Sequence, residues 1–163
     1  METKKLNLFI VDDNQLVVTD LRHYLTDRFG ADVSITTFAD GESCLEQVGK
    51  DTHIVILDYF LEGKDGVTIL KAIKEINPST SVIMLSGNED MAVAIQSFRA
   101  GAEDFVIKGL GARRKVTNLL YQIITAPIRL MVREFGISRY LTIFLLTFAA
   151  LGIVVAYVLH QYR

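Results

Sequence analysis

The chain has 163 residues, enough for one domain with a full hydrophobic core and little more. Its net charge of −2 hides an uneven distribution: residues 1–108 carry 18 Asp/Glu against 10 Lys/Arg, residues 109–139 carry six Lys/Arg against one Glu, and the last 24 residues carry Arg163 alone. The acidic first region argues against nucleic acid as a partner, because phosphate binding needs clustered Lys and Arg. The single cysteine, Cys44, excludes an intrachain disulfide.

Five short apolar segments predict β-strands, and four of them are nearly continuous in apolar residues, as is typical of strands buried on both faces. In chain order they cover residues 6–11, 33–38, 54–57, 81–85 and 104–107. The first segment, "LNLFIV", is ended by two aspartates, so it resembles a strand rather than a secretory signal. We therefore expect the domain to remain in the cytoplasm.

Between these segments, apolar residues recur at helical spacing, and we expect these stripes to face the core. The stripes are Leu21, Leu25 and Phe29, then Val67, Leu70 and Ile73, then Met91, Ile95 and Phe98, and last Val116, Leu119, Leu120 and Ile123. A further short helix is expected around Cys44. The repeated β–α alternation predicts an α/β fold with a doubly wound, five-stranded parallel sheet.

Polar residues follow four of the five strands directly. They are Asp12 and Asp13, Asp58, Ser86 and Lys108. In an open parallel sheet, ligands bind beyond the carboxyl ends of the strands. These side chains should therefore meet at one edge of the sheet.

The residue types in this cluster favour phosphoryl chemistry. Three carboxylates repel one another unless a cation lies between them, and hard oxygen ligands suit Mg²⁺. An ammonium and a hydroxyl can both bind phosphate oxygens, and an Asp carboxylate can act as a nucleophile. The set predicts a site that takes a phosphoryl group onto Asp.

Four motifs in this chain, "VDDN", "ILDYFLEGKDG", "MLSG" and "DFVIKG", resemble those of response-regulator receiver domains, the phosphoacceptor modules of bacterial two-component signalling. The resemblance covers about residues 5–126. It implies a flavodoxin-like (βα)5 fold, Mg²⁺ as cofactor, and a histidine kinase or phosphotransfer protein as the phosphoryl donor. It also implies that the domain is not an enzyme beyond its own phosphoryl transfer and dephosphorylation.

The resemblance assigns metal-binding roles by position. Asp58 is similar to the phosphoacceptor, which also contacts the metal. Asp13 is similar to the direct Mg²⁺ ligand, and Asp12 to the residue that holds the metal through water. The main-chain carbonyl of Phe60 corresponds to a third protein ligand.

The switch residues follow in the same way. Ser86 is similar to the hydroxyl that turns toward the phosphoryl group, and Lys108 to its cationic partner. Phe105 is similar to the aromatic that swings inward with that hydroxyl, although an ordinary core aromatic is an equally good interpretation. Gly109 follows Lys108 where the family usually has proline, which predicts a looser loop.

Two other functions are compatible with parts of this pattern. A haloacid-dehalogenase-type phosphatase also uses an Asp nucleophile with Mg²⁺, but it needs an acid/base Asp two residues later, where this chain has Phe60. The second alternative is a receiver-like scaffold or adaptor, tethered to the membrane, that is never phosphorylated.

The C-terminal region predicts a membrane anchor. The segment that begins at Tyr140 and ends at Leu159 contains no charged residue, and about 20 apolar residues are enough to cross a bilayer. Arg129, Arg133 and Arg139 precede it, so the positive-inside rule keeps the receiver in the cytoplasm. The predicted organisation is a receiver domain at 1–126, a basic amphipathic connector at 127–139, a single transmembrane helix at 140–160 in the inner membrane, and a tail at 161–163.

Without a nucleic-acid-binding or enzymatic region, the expected output is contact with a downstream protein at the membrane. Gly152 and Ala156 are spaced so that two membrane helices could approach closely, which predicts a homodimer.

Overall fold

The computed structural model describes the backbone of residues 5–61, 64–87, 91–135 and 137–161. For positions 64, 127–140, 142, 154–156, 159 and 161 it does not describe the side chain. The chain divides into two compact units, residues 1–120 and residues 121–163.

The first unit is built on a five-stranded parallel sheet. Its strands are β1 (Leu6–Val11), β2 (Val33–Phe38), β3 (Ile54–Asp58), β4 (Ser81–Ser86) and β5 (Asp104–Ile107), in the spatial order β2-β1-β3-β4-β5. The flavodoxin-like α/β prediction is confirmed, and every predicted strand is present. Strands β3 and β4 each extend one residue further than predicted, so that Asp58 and Ser86 are themselves strand residues.

The helices are α1 (Gln15–Phe29), α2 (Gly41–Gln47), α3 (Gly66–Ile76), α4 (Met91–Arg99), α5 (Ala112–Phe135) and α6 (Ile137–Gln161). Three of them begin at a side-chain cap that accepts a hydrogen bond from a backbone N–H of the first turn. Asn14 caps α1, Asp40 caps α2 and Asp65 caps α3. Side-chain capping therefore fixes where the chain leaves the loops on the functional edge and enters these helices.

The core lies on both faces of the sheet, and all five residues of β3 are buried. The predicted stripes of α1, α3 and the start of α5 place their apolar residues inward. Leu21, Leu25, Val67, Leu70, Ile73, Val116, Leu119 and Leu120 are all buried, and the remaining members of these stripes, Phe29 and Ile123, are half-buried. Here helical periodicity identified the core face correctly.

Helix α4 contradicts the prediction. Met91, Ile95 and Phe98, expected to face the core, are 72%, 45% and 50% exposed, whereas Val93 and Ser97 are buried. The Ser97 hydroxyl donates a hydrogen bond to the Val93 carbonyl oxygen at 2.9 Å, so the buried serine has its polar group satisfied within the helix. The helix turns its small side chains inward and its large ones outward.

The second unit contains the rest of α5 and the whole of α6. Helix α5 continues through Pro127 to Phe135, so most of the predicted connector at 127–139 is helical. Residue 136 lies outside the described residues, and α6 begins at Ile137.

Among the residues that the structure describes, no helix is both long enough and apolar enough to cross a membrane. The structure therefore does not support the predicted span at 140–159. Within the predicted segment, the side chains of Tyr140 and Leu159 and those at 142 and 154–156 lie outside the described residues. The described apolar side chains of α6, such as Leu146 and Phe148, are exposed.

Candidate functional site

The parallel sheet brings the predicted site residues to one edge. Asp12 follows β1, Asp58 ends β3, Ser86 ends β4 and Lys108 follows β5. Backbone hydrogen bonds extend the sheet to these positions: Asp12 N–H donates to the Phe38 carbonyl at 3.1 Å, and Lys108 N–H donates to the Ser86 carbonyl at 2.7 Å. The site is thus held by the sheet itself rather than by a free loop.

Three carboxylates form the centre of the site. One oxygen each from Asp12, Asp13 and Asp58 lies within 4.8 Å of the others. Asp12 and Asp58 are buried, at 1% and 3% exposure, and Asp13 is exposed. Two buried carboxylates and one facing solvent suit a hard divalent cation that keeps some of its water.

Lys108 bridges the two buried carboxylates. Its Nζ lies 2.7 Å from Asp12 Oδ2 and 2.9 Å from Asp58 Oδ2. Burial lowers the pKa of Lys108, but the hydrogen bonds to Asp12 and Asp58 and the negative charges of these two carboxylates together raise it by more, so the net shift is upward. The amine is therefore an ammonium at neutral pH.

Burial raises the pKa of Asp58, and the hydrogen bond from Lys108 offsets only part of that rise. Asp58 Oδ1 is buried and has no hydrogen-bond partner among the described residues. A buried carboxylate oxygen without a partner costs free energy, which a bound cation would recover. The residues present therefore fit a Mg²⁺ ion held by Asp12, Asp13 and Asp58.

The remaining predicted residues surround this centre. Ser86 is fully buried at the end of β4. Phe105 is 8% exposed and belongs to the hydrophobic core cluster, which matches the interpretation as an ordinary core aromatic. Phe60 is half exposed, and its ring packs edge-on against Tyr59 with centroids 4.7 Å apart.

Sequence reasoning missed two features that shape the site. Residues Phe60–Leu61 pair antiparallel with Lys64–Asp65, which makes a small hairpin directly after Asp58. Gly66 follows the hairpin, and its N–H donates to the Tyr59 carbonyl at 2.8 Å. The Asn14 backbone N–H donates to Asp12 Oδ1 at 2.9 Å and so orients that carboxylate. In the sequence, Gly63 stands between the two paired segments, and a glycine at this place could have indicated a turn.

Comparison with known proteins points to one family. The sequence pattern of the response regulator receiver domain family matches residues 8–120. The transcriptional regulatory protein AruR of Pseudomonas aeruginosa is 31% identical over 141 residues, which is 79% of this chain and 57% of AruR. The DNA-binding transcriptional regulator NtrC of Klebsiella pneumoniae is 35% identical over 101 residues, which is 61% of this chain and 21% of NtrC.

The chain therefore spans about three fifths of the first relative's length and about one fifth of the second's. Among solved structures, the CheX-CheY-BeF3-Mg²⁺ complex from Borrelia burgdorferi contains a chain 29% identical to this one. The two superpose with a TM-score of 0.63 over 76% of this chain and 89% of that one.

Proposed function

Because the chain belongs to the response regulator receiver domain family, whose members are phosphorylated on Asp, we propose that Asp58 is its phosphoacceptor. Receiver domains take the phosphoryl group from histidine kinases or phosphotransfer proteins, and they bind Mg²⁺ at an acidic cluster. One observation carries the assignment to Asp58. Both buried carboxylates contact Lys108 through Oδ2, but Asp12 Oδ1 accepts a hydrogen bond from the Asn14 N–H, whereas Asp58 Oδ1 has no hydrogen-bond partner among the described residues.

The proposed reaction is an in-line displacement at phosphorus. A carboxylate oxygen of Asp58 forms a bond to the phosphorus of a phosphohistidine, the P–N bond breaks, and its electron pair returns to the imidazole, which takes up a proton. Lys108 and Ser86 would bind the transferred phosphoryl oxygens, because an ammonium and a hydroxyl both donate hydrogen bonds to anions. Bound Mg²⁺ supplies positive charge that offsets the charge on the phosphoryl group.

We do not expect catalysis beyond this self-modification. A phosphatase of the haloacid-dehalogenase type would need an acid/base carboxylate at the position of Phe60, whose aromatic side chain can neither donate nor accept a proton there. Acyl phosphates hydrolyse slowly by themselves, so the phosphorylated protein would act as a timed signal.

Phosphorylation of the full chain by acetyl phosphate tests this proposal. Wild type is compared with Asp58→Asn, and Asp20→Asn, which changes an exposed carboxylate of α1, serves as the matched control. We expect a Mg²⁺-dependent, acid-labile and hydroxylamine-sensitive mass increase in wild type and in the control only. A mass increase that persists in Asp58→Asn, or that is equally fast in EDTA, contradicts the assignment. A chain that stays unmodified with Mg²⁺ present supports the scaffold alternative.

We also propose that the chain is held at the cytoplasmic face of the membrane by its C-terminal region. The support comes from the sequence: residues 140–159 include twelve Leu, Ile, Phe or Val and no charge, and three arginines precede them. The described side chains of α6 add a second reason, because Leu146, Phe148 and Ile153 are each at least 64% exposed. Exposed apolar surface of this extent needs a cover.

Fractionation of cells, followed by alkaline carbonate extraction, tests this localisation. We expect full-length protein to remain in the membrane pellet, and a chain truncated after Phe135 to be released. A charged substitution at an exposed apolar position of α6, Leu146→Glu, should weaken retention, whereas Leu16→Glu at an exposed position of α1 should not. Full-length protein in the soluble fraction would refute the anchor.

Self-association through α6 is the third part of the proposal. A Cβ built at Gly152 meets no heavy atom within 4 Å, so a side chain added at this position begins in open space. Crosslinking in liposomes should show fewer dimers for Gly152→Ile than for wild type, and equal dimer fractions would contradict pairing through this face of α6.

A further inference from the structure

Asn14 follows two of the carboxylates of the site directly and is held there by three hydrogen bonds. Its backbone N–H donates to Asp12 Oδ1 at 2.9 Å, and its side-chain Oδ1 accepts from the Leu16 N–H at 3.0 Å. Its carbonyl accepts from the Val18 N–H at 3.1 Å. One residue thus ends the segment that carries the carboxylates and begins α1.

The segment from Asp12 to Asn14 is fixed at both ends. At its start, the Asp12 N–H donates to the Phe38 carbonyl at 3.1 Å, which continues the sheet. At its end, Asn14 has φ −84° and ψ 99°, an extended conformation from which its side chain reaches the first turn of α1. Asp13, which is exposed, lies between these two fixed points. Asn14 therefore constrains two of the three carboxylates of the site.

The hydrogen bonds of this segment form two side-chain turns in succession. Asp12 accepts from the N–H two residues later, at Asn14, and Asn14 accepts in the same way from Leu16. The caps of α2 and α3 are different, because Asp40 and Asp65 each accept from an N–H three residues later. The cap of α1 thus holds the same residue whose N–H orients Asp12.

The Asp12 carboxylate is held on both of its oxygens. Oδ2 lies 2.7 Å from the Lys108 ammonium, and Oδ1 accepts from Asn14. Asp12 is only 1% exposed, so water cannot easily replace a lost partner. Without the Asn14 N–H, Oδ1 would be a buried carboxylate oxygen with no donor, and rotation of the carboxylate would be favoured. A carboxylate that must first be reoriented contributes less to metal affinity.

The residue type at position 14 fits this role. Asn and Asp are equally good at the N-cap of a helix. An Asp here would add a fourth carboxylate beside Asp12, Asp13 and Asp58, which already repel one another. Asn14 supplies the same acceptor to Leu16 without that charge.

We propose that Asn14 is a positioning residue for the cation of the site. Its side chain caps α1 and thereby holds the backbone N–H that orients Asp12, which sets the affinity for Mg²⁺. The proposal rests on the proposed function in one respect, because it takes Mg²⁺ to be the ion that the three carboxylates bind. It requires no contact between Asn14 and the ion or the phosphoryl group.

A Mg²⁺ titration of the full chain, followed by its backbone amide NMR resonances, tests this role. Asn14→Ala removes the cap, and Asn14→Ser restores a side-chain acceptor of similar capping strength. Asp40→Ala is the matched control, because it removes an exposed cap that makes two hydrogen bonds to Ser43. A buffer with about 0.15 M KCl screens the charge that this control removes.

We expect the dissociation constant for Mg²⁺ to rise about tenfold in Asn14→Ala and to stay within about twofold of wild type in Asn14→Ser and Asp40→Ala. Before any Mg²⁺ is added, the amide proton of residue 14 should exchange with water faster in Asn14→Ala than in Asn14→Ser, because its bond to Asp12 is weakened. Both cap removals lower stability, so an effect of stability alone would appear in both.

Equal Mg²⁺ affinities in wild type and Asn14→Ala overturn the proposal, as does an equally large loss in Asn14→Ser. A similar loss in Asp40→Ala also overturns it, because it would indicate a general effect of helix capping. A wild-type chain that binds no Mg²⁺ overturns both the positioning role and the choice of cation. Failure of Asp58 phosphorylation is read in the acetyl phosphate experiment and leaves the measured Mg²⁺ affinities unaffected. The two proposals can therefore fail separately.

Discussion

The Nζ atom of Lys108 lies 2.9 Å from Asp58 Oδ2, and the same ammonium contacts Asp12 Oδ2 at 2.7 Å. One positive charge thus holds two buried carboxylates that would otherwise repel each other. This arrangement keeps Asp58 in place before phosphorylation and supplies a donor for the phosphoryl oxygens afterwards. The Lys108 ammonium thus contacts Asp58 before phosphorylation and would bind the phosphoryl oxygens after it.

Loss of this ammonium should therefore be costly. Lys108→Met leaves two buried carboxylates without their partner, and we expect the free energy of unfolding to fall by about 3 kcal/mol at neutral pH without Mg²⁺. Added Mg²⁺ should recover part of the loss, because it supplies positive charge to the same oxygens. Urea unfolding, followed by the circular dichroism of the receiver, measures both effects.

Lys115→Met is the matched control for this variant. The Lys115 ammonium lies 3.1 Å from Asp104 Oδ1 and donates to the Phe105 carbonyl at 2.6 Å, but the Lys115 side chain is half exposed, so its removal should cost about 1 kcal/mol or less. Equal losses in the two variants would show that the buried contacts of Lys108 stabilise the protein no more than the contacts of Lys115 do.

Gly66 limits how the chain can return to α3 after the phosphorylation loop. A Cβ at this position would overlap the Asp58 carbonyl oxygen and would lie 2.9 Å from the Tyr59 Cα. Because these neighbours are backbone atoms, they cannot move aside without shifting Asp58. We expect Gly66→Ala to destabilise the protein by about 3 kcal/mol and to slow phosphorylation by acetyl phosphate.

Gly49→Ala provides the comparison, since a Cβ at Gly49 meets no heavy atom within 4 Å. This variant should change the stability by less than about 1 kcal/mol and leave phosphorylation unchanged. A tolerated Gly66→Ala, with normal stability and rate, would contradict the steric assignment.

Cys44 predicts a specific loss of stability at alkaline pH. Burial raises the pKa of its thiol from 9.0 to about 12, so the unfolded chain releases this proton at lower pH than the folded one. Its contribution to stability is therefore fully present below pH 9 and is lost as the pH rises from 9 toward 12. Between pH 8 and pH 10, wild type should lose about 1.4 kcal/mol more than Cys44→Ala.

Urea unfolding at the two pH values measures this difference. Comparison between pH values cancels the packing cost of the substitution, which is the same at both. Parallel stability losses in wild type and Cys44→Ala would mean that the thiol titrates normally in the folded protein.

Much of the first unit could be predicted from the sequence because its signals are local and strong. Strands buried on both faces need nearly continuous apolar residues, and β1, β3 and β4 have them. A parallel sheet places the carboxyl ends of neighbouring strands at one edge, so the proximity of Asp12, Asp58 and Lys108 followed from their positions in the chain.

Other features of the site depend on contacts between distant atoms and left weaker signals. The hairpin after Asp58 pairs only two residues on each side, too few to produce an alternating pattern. Leu110, in the loop between β5 and α5, is fully exposed although it is apolar, and no periodicity encodes this. Such details become visible only when the packed structure is known.

Helix α4 shows why periodicity can select the wrong face. Two faces of this helix carry residues three or four positions apart. One face has the large side chains Met91, Ile95 and Phe98, and the other has the smaller Val93 and Ser97. Hydrophobicity favours the large set, but the structure buries the small pair, with Val93 in the core and Ala94 partly buried against it. The side chains that the core could accommodate decided the outcome, rather than the hydrophobicity of the stripe.

The two interpretations of α4 give opposite rankings of substitutions. In the structure, Phe98 is half exposed and Val93 is buried, so we expect Phe98→Ala to change the free energy of unfolding by about 0.5 kcal/mol or less and Val93→Ala to lower it by about 1–2 kcal/mol. If Phe98 instead faced the core, its truncation would cost about 3–5 kcal/mol. Urea denaturation of the two variants, each compared with wild type under the same conditions, decides between these rankings. A larger loss for Phe98→Ala than for Val93→Ala would mean that α4 presents its large side chains to the sheet in solution.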